Sequence, residues 1–86
     1  QNYPNPFNPS TRIDYYLPRE TLVTMSIYDV RGALVRTLVD EPVGVGHHSL
    51  VWEGMDNNGN RVGSGVYFYR LRAGKKVITK KLVLVK

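Results

Sequence analysis

The chain's imidazoles are two adjacent histidines, His47 and His48, and no cysteine accompanies them. The lack of cysteine removes thiolate nucleophiles, thiolate zinc sites and disulfides together. Neighbouring residues on a strand point to opposite faces, so the two histidines cannot serve one substrate or one metal. His48 is expected half-buried near Trp52, and His47 at the surface. The carboxylates Asp14, Asp29, Asp40, Glu41, Glu53 and Asp56 fall mostly in turns or on outward strand positions, and no pair stands out as the acid and base of a glycosidase. Catalysis needs a nucleophile, a base and an orienting group that converge. No such set stands in this sequence, and the reading is a chain without catalytic activity, cofactor or bound metal.

Two patterns imitate binding sites. Asp56, Asn58 and Asn60 occupy the spacing of the first three ligands of a calcium loop, but Arg61 stands where that loop requires glycine and Tyr67 where it requires a bidentate glutamate. An asparagine-rich hairpin turn is the better reading. Six tyrosines, two phenylalanines and one tryptophan could stack on sugars or single-stranded nucleic acid beside Arg70 and Arg72. Tyr15, Trp52, Tyr67 and Tyr69 fall on inward strand positions, where a domain without disulfides needs bulk. Tyr16, Tyr28 and Phe68 are left as candidates for an exposed patch.

The elements that hold these residues alternate with period two. Ile13, Tyr15 and Leu17 share one face, and Pro18 closes that strand. Val23, Met25 and Ile27 repeat the pattern until Asp29-Val30-Arg31-Gly32 supplies a turn. Residues 33–39 read as a third strand in which Leu34 and Leu38 oppose Val35 and Val39, a conflict that a bulge would reconcile. Residues 40–46 carry the proline and glycines of a loop. His48, Leu50 and Trp52 form the inner face of a fourth strand stopped by Gly54. Asn58-Gly59 is the strongest hairpin signal, followed by a weak strand near residues 60–62. Residues 66–73 place Tyr67, Tyr69 and Leu71 on one face, and residues 77–85 form a last strand with Leu82 and Leu84 inward. No stretch has helical spacing with caps. The expected fold is all-β: an immunoglobulin-like β-sandwich of about seven short antiparallel strands, packed around Trp52, with Tyr67 as a tyrosine corner.

A chain of 86 residues and 9.8 kDa is one domain's worth, which excludes catalytic clefts between two domains and cofactor folds of repeated βαβ units. A mean hydropathy of −0.30, with no apolar run near eighteen residues, excludes a membrane-spanning helix. Residues 11–86 are assigned to the sandwich. Residues 1–10, with Pro4, Pro6 and Pro9 among asparagines, form an extended lead-in whose Tyr3 and Phe7 are expected to pack on the domain. A start at Gln1, without methionine or signal region, points to a piece of a longer precursor. The net charge of +5 is uneven: residues 1–56 hold all seven acids and four arginines, whereas residues 57–86 hold eight bases and no acid. A basic end of this kind suits an anionic partner, and equally suits lysine protection of an edge strand.

Read in order, the blocks are Asn2-Tyr3-Pro4-Asn5-Pro6-Phe7-Asn8-Pro9, Ile27-Tyr28-Asp29-Val30-Arg31-Gly32, Trp52-Glu53-Gly54, Gly65-Val66-Tyr67-Phe68-Tyr69-Arg70-Leu71, and Lys80-Lys81-Leu82-Val83-Leu84-Val85-Lys86. Together they resemble the C-terminal sorting domain, type A, of the type IX (Por) secretion system, in its variant similar to the immunoglobulin-like domain of the flagellar hook-capping protein. The resemblance implies a secretion signal at the end of an exported passenger, in transit through the periplasm and then at the outer-membrane surface or outside the cell. It implies recognition by the translocon, removal by a sortase-like protease and anchoring to lipopolysaccharide. The recognition residues it implies are Pro4, Asn5 and Pro6 in the lead-in and Lys80, Lys81 and Lys86 in the last strand. Gly32, Trp52, Gly54, Gly65, Tyr67, Tyr69 and Leu71 would be structural. The domain is expected to be a monomer that binds no nucleic acid. Two alternatives stand beside this reading: a structural domain as in hook-capping proteins, or a carbohydrate-binding module of a secreted hydrolase, which would need an exposed aromatic row.

Overall fold

Period-two alternation becomes six strands in the computed structural model, which describes residues 10–85: Thr11–Leu17 (β1), Thr21–Tyr28 (β2), Leu34–Val43 (β3), Gly46–Trp52 (β4), Gly65–Ala73 (β5) and Lys76–Leu84 (β6). They form two antiparallel sheets, one of β1 and β4 and one in the order β3-β2-β5-β6. The expected strand near residues 60–62 is reduced to a single bridge between Met55 and Arg61, which leaves six strands rather than about seven. Its backbone is spent on the preceding turn instead. The expected packing of Tyr3 and Phe7 falls outside the described residues.

In β1, Ile13 and Leu17 are buried and Tyr15 half-buried, while Arg12, Asp14 and Tyr16 face out. β4 runs antiparallel, setting Thr11 opposite Trp52 and Leu17 opposite Gly46. Across the core, Val23, Met25 and Ile27 of β2 are fully buried, and β5 adds Tyr67 and Leu71. The indole of Trp52, 1% exposed, meets the Tyr67 ring edge-on at 5.1 Å and 72°. This contact joins the two sheets. Its polar ends are satisfied: the indole N–H donates to the Met55 carbonyl at 2.9 Å, and the Tyr67 hydroxyl donates to the Gly63 carbonyl at 2.7 Å. The second bond is the expected tyrosine corner.

β3 departs most from expectation. It runs through residues 40–43, read from sequence as loop, with Pro42 opposite Leu22 and Val43 opposite Thr21. β3 is an outer strand, the place in a sheet where proline is tolerated. The register against β2 slips twice: Met25 faces Val39 but Ser26 faces Thr37, and Ile27 faces Arg36 but Tyr28 faces Leu34. Leu38 and Val35 are the unpaired residues of two bulges. Strict alternation would send Val35 and Val39 to one face and Leu38 to the other. With the bulges, Val39 is buried and Val35 and Leu38 pack against the same core.

Ten of the residues expected to face inward lie in the core or against it: Ile13, Val23, Met25, Ile27, Trp52, Tyr67 and Leu71 are buried, while Tyr15, Leu50 and Tyr69 are half-buried. Leu17, Val39 and Leu84 complete the buried set. Tyr69, on the larger sheet, is left half-buried by the unequal sandwich, because two strands cannot cover four.

Candidate interaction surfaces

The end of the sandwich beneath Trp52 is closed by residues 54–62. Asp56 organises this turn: its Oδ1 accepts the N–H groups of Asn58 and Asn60 at 2.9 and 3.0 Å, and its own N–H donates to the Asn60 carbonyl. These are the bonds of an Asx turn, and they occupy the oxygen that the calcium-loop spacing had offered. Asn57, which sequence reasoning missed, does more. Its N–H donates to the Val35 carbonyl at 2.9 Å, and its side-chain oxygen accepts the Thr37 N–H at 3.0 Å. Both partners lie on the edge of β3 that faces away from β2, so one asparagine pairs with that edge as a further strand would. The only hint in the sequence was the run of polar turn residues, which says nothing of a partner 20 positions nearer the start.

His47 and His48 point to opposite faces of β4, as their adjacency requires. His48 stacks on Tyr15 with ring centroids 5.3 Å apart, and its Nε2 donates to the Gly44 carbonyl at 2.7 Å. His47 lies tilted on Tyr16 at 4.8 Å on the outer face. Also on that face, Asp14 accepts from the Ser49 hydroxyl and from Arg12 Nε at 2.9 Å, and Arg12 donates to Ser49 at 3.1 Å. The Ser49 bond foremost, and Arg12 after it, hold the Asp14 carboxyl below its ordinary range. Ser49 thus donates a hydrogen bond to a carboxylate that stays ionised, an arrangement that ties β1 to β4.

The glycines in the quoted blocks are backbone devices. Gly32 has φ +84° and closes the turn after β2, donating to the Asp29 carbonyl at 3.0 Å. Asp29 Oδ1 accepts the N–H groups of Ala33 and Arg31 at 3.0 and 2.9 Å, and the Ala33 bond is the main reason its carboxyl sits below 3.8. Gly54, buried at φ +75°, turns the chain beside Trp52 and accepts from the Val62 N–H. Burial raises the hydroxyl pKa of Tyr67, and the charge of Asp29 adds to it; burial alone raises that of Tyr69.

Of the expected recognition residues, Lys80 and Lys81 fall among those the structure describes. Pro4, Asn5, Pro6 and Lys86 lie outside the described residues. Lys80 pairs with Tyr69 and Lys81 with Phe68, so the two lysines leave β6 on opposite faces of the sheet. Lys80 is on the inner side and yet exposed, because the smaller sheet stops short of β6. A groove of about 770 Å³ opens there, between Leu17 and Pro18 at the end of β1 and Leu71, Ala73, Lys76 and Ile78 of the β5–β6 hairpin. The exposed aromatic candidates also divide: Tyr16 lies outside the small sheet, while Tyr28 and Phe68 are neighbours outside the large one, where Arg70 lies over the Tyr28 ring at 5.6 Å. No aromatic row spans either face among the described residues.

The fold is similar to that of solved FlgD structures. FlgD from P. aeruginosa superposes with a TM-score of 0.68 at 24% identity, over 87% of this chain and 59% of that one. FlgD from Xanthomonas campestris, whose hook capping is essential for flagellar assembly, gives 0.68 at 26% identity over 90% of this chain and 56% of that one. Truncated FlgD from Helicobacter pylori strain 26695 gives 0.65 at 14% identity over 95% and 64%. This chain therefore spans 56% to 64% of the length of those proteins. No curated protein matches it.

Residues 8–76 match the family model of the FlgD Ig-like domain, and this overturns the assignment to a type IX sorting domain. The translocon, the sortase-like protease, the passenger and the outer-membrane surface destination, all implied by that assignment, fall with it. The physical reason is visible in the blocks that carried the resemblance. Trp52-Glu53-Gly54 is a core ring and its turn, residues 65–71 are a central strand with its tyrosine corner, and residues 27–32 are a strand end with an Asx turn. Such blocks specify this sandwich and carry no address. The chain belongs to the FlgD Ig-like domain family.

Proposed function

We propose that this chain is the immunoglobulin-like module of a hook-capping protein, a structural and non-catalytic domain that presents its outer surfaces to neighbouring subunits in a flagellar assembly. The observation that carries the reading is the family match over residues 8–76, supported by likeness to two FlgD structures over 87% and 90% of the chain. The arrangement of polar groups agrees with it. The histidines face apart, Ser49 is held by Asp14, and Asp56 and Asn57 are occupied by a turn and a strand edge. Each of these polar clusters holds strands or turns of the sandwich together.

Removal of residues 10–85 from the parent protein tests the reading, with hooks counted by electron microscopy and swimming scored in soft agar. Hooks should be lost and motility with them, and both should return when the module is restored in place. Normal hooks on cells whose parent protein lacks the module would overturn the proposal.

A further inference from the structure

The two edges of the four-stranded sheet are treated in opposite ways. On β3, two bulges, Pro42 and the Asn57 clamp interrupt or occupy the outer backbone groups. β6 has none of these devices. Its register against β5 runs unbroken from Gly65 opposite Leu84 to Ala73 opposite Lys76, and it contains neither proline nor glycine. Among the described residues nothing pairs with its far side. A regular strand nine residues long therefore presents a row of unpaired N–H and C=O groups.

The side chains along that edge select what pairs with it. Lys81 stands on the outer face with Thr79 and Val83, while Lys76, Ile78 and Lys80 stand on the inner face that the smaller sheet leaves uncovered. Val83 is 55% exposed and Ile78 39%. Ion pairs among the described residues join Arg12 to Asp14 and Arg31 to Asp29, and none involves a β6 lysine. A second copy of this strand would bring lysines against lysines, since like charges opposite one another destabilise a ladder. An acidic strand meets complementary charge on both faces and apolar contacts between them.

We infer that the free edge of β6 is a docking site for an extended acidic segment of a partner protein, which adds to the sheet as a further strand. Backbone hydrogen bonds supply the pairing, an adjacent pair of carboxylates set against Lys80 and Lys81 selects the partner, and Ile78 and Val83 receive apolar side chains two positions beyond that pair on either side. The inference rests on the reading of the domain as a module that presents surfaces to neighbours. Peptide binding tests the edge without hooks, and hook counts test that reading without the peptide.

The probe is an acetylated nonapeptide with an adjacent Glu-Glu pair at its centre, Val two positions beyond each Glu and Thr elsewhere, titrated into the full 15N-labelled chain at low salt. Alternate β6 amides, open to exchange in the free chain, should become protected at least tenfold. Lys80→Glu with Lys81→Glu should weaken binding at least tenfold while leaving the melting temperature unchanged. The same peptide with Lys-Lys in place of Glu-Glu, and the acidic peptide with a proline beside its Glu pair, should give no protection. The inference is overturned if β6 amides gain no protection, or if the proline-bearing peptide protects them as well. It is equally overturned if oligothymidylate or phosphatidylglycerol vesicles protect the strand as the peptide does, since bare anionic charge would then suffice.

Discussion

At the scale of single residues, the polar groups of this domain serve the backbone. The Tyr67 hydroxyl reaches Gly63, the Trp52 indole reaches Met55, and the Asp29 carboxylate collects the N–H groups of Arg31 and Ala33. A buried ring with a satisfied polar tip gains the burial of its carbons without the cost of an orphaned donor. Asp29 makes this measurable. Its folded carboxyl titrates below 3.8, so its contribution to stability is complete above that value and is lost as the pH falls through the folded pKa. Asp29→Asn should therefore lower the melting temperature at neutral pH and flatten its decline below pH 3.8, read by circular dichroism from pH 7 to 2. An acid limb identical to that of the parent chain would remove Asp29 from the account.

At the scale of elements, the turn at residues 56–60 is a working part of the large sheet. Asn57 supplies a donor and an acceptor to Val35 and Thr37, positions set at this spacing by the bulges in β3. Asn57→Ala removes the acceptor but leaves the backbone bond to Val35, and should cost about 1 kcal/mol. The selective sign is amide exchange: the Thr37 N–H should exchange faster in the variant while the β5 amides keep their protection. Equal acceleration at both would mean that the turn does not guard this edge. The bulges themselves were foreshadowed, because Val35, Leu38 and Val39 cannot face one core without them. Asn57 and the course of β3 through Pro42 were not. Both depend on which strand lies at an edge, and local pattern holds no information on strand order.

At the scale of the whole molecule, alternation and turn chemistry made the sandwich, its Trp52 centre and the tyrosine corner legible, because each is a local consequence of side-chain spacing. Destination and partner were not legible, because Trp52-Glu53-Gly54 and residues 65–71 are what any chain needs to build this sandwich. The unequal sheets also escaped the pattern, although they decide how the domain holds together. Two strands alone are marginal in water. β1 and β4 therefore persist because Ile13, Leu17 and Trp52 bury against β2 and β5. Trp52 is the only tryptophan and belongs to the small sheet, while its ring contact, Tyr67, belongs to the large one. If the small sheet has no stability of its own, urea unfolding followed by Trp52 fluorescence must coincide with unfolding followed by far-ultraviolet circular dichroism, which reports mostly on the four larger strands. Both probes should give one midpoint and one slope. A fluorescence transition at lower urea would show β1 and β4 peeling away first, and the Trp52–Tyr67 contact would then not be the bond between the sheets.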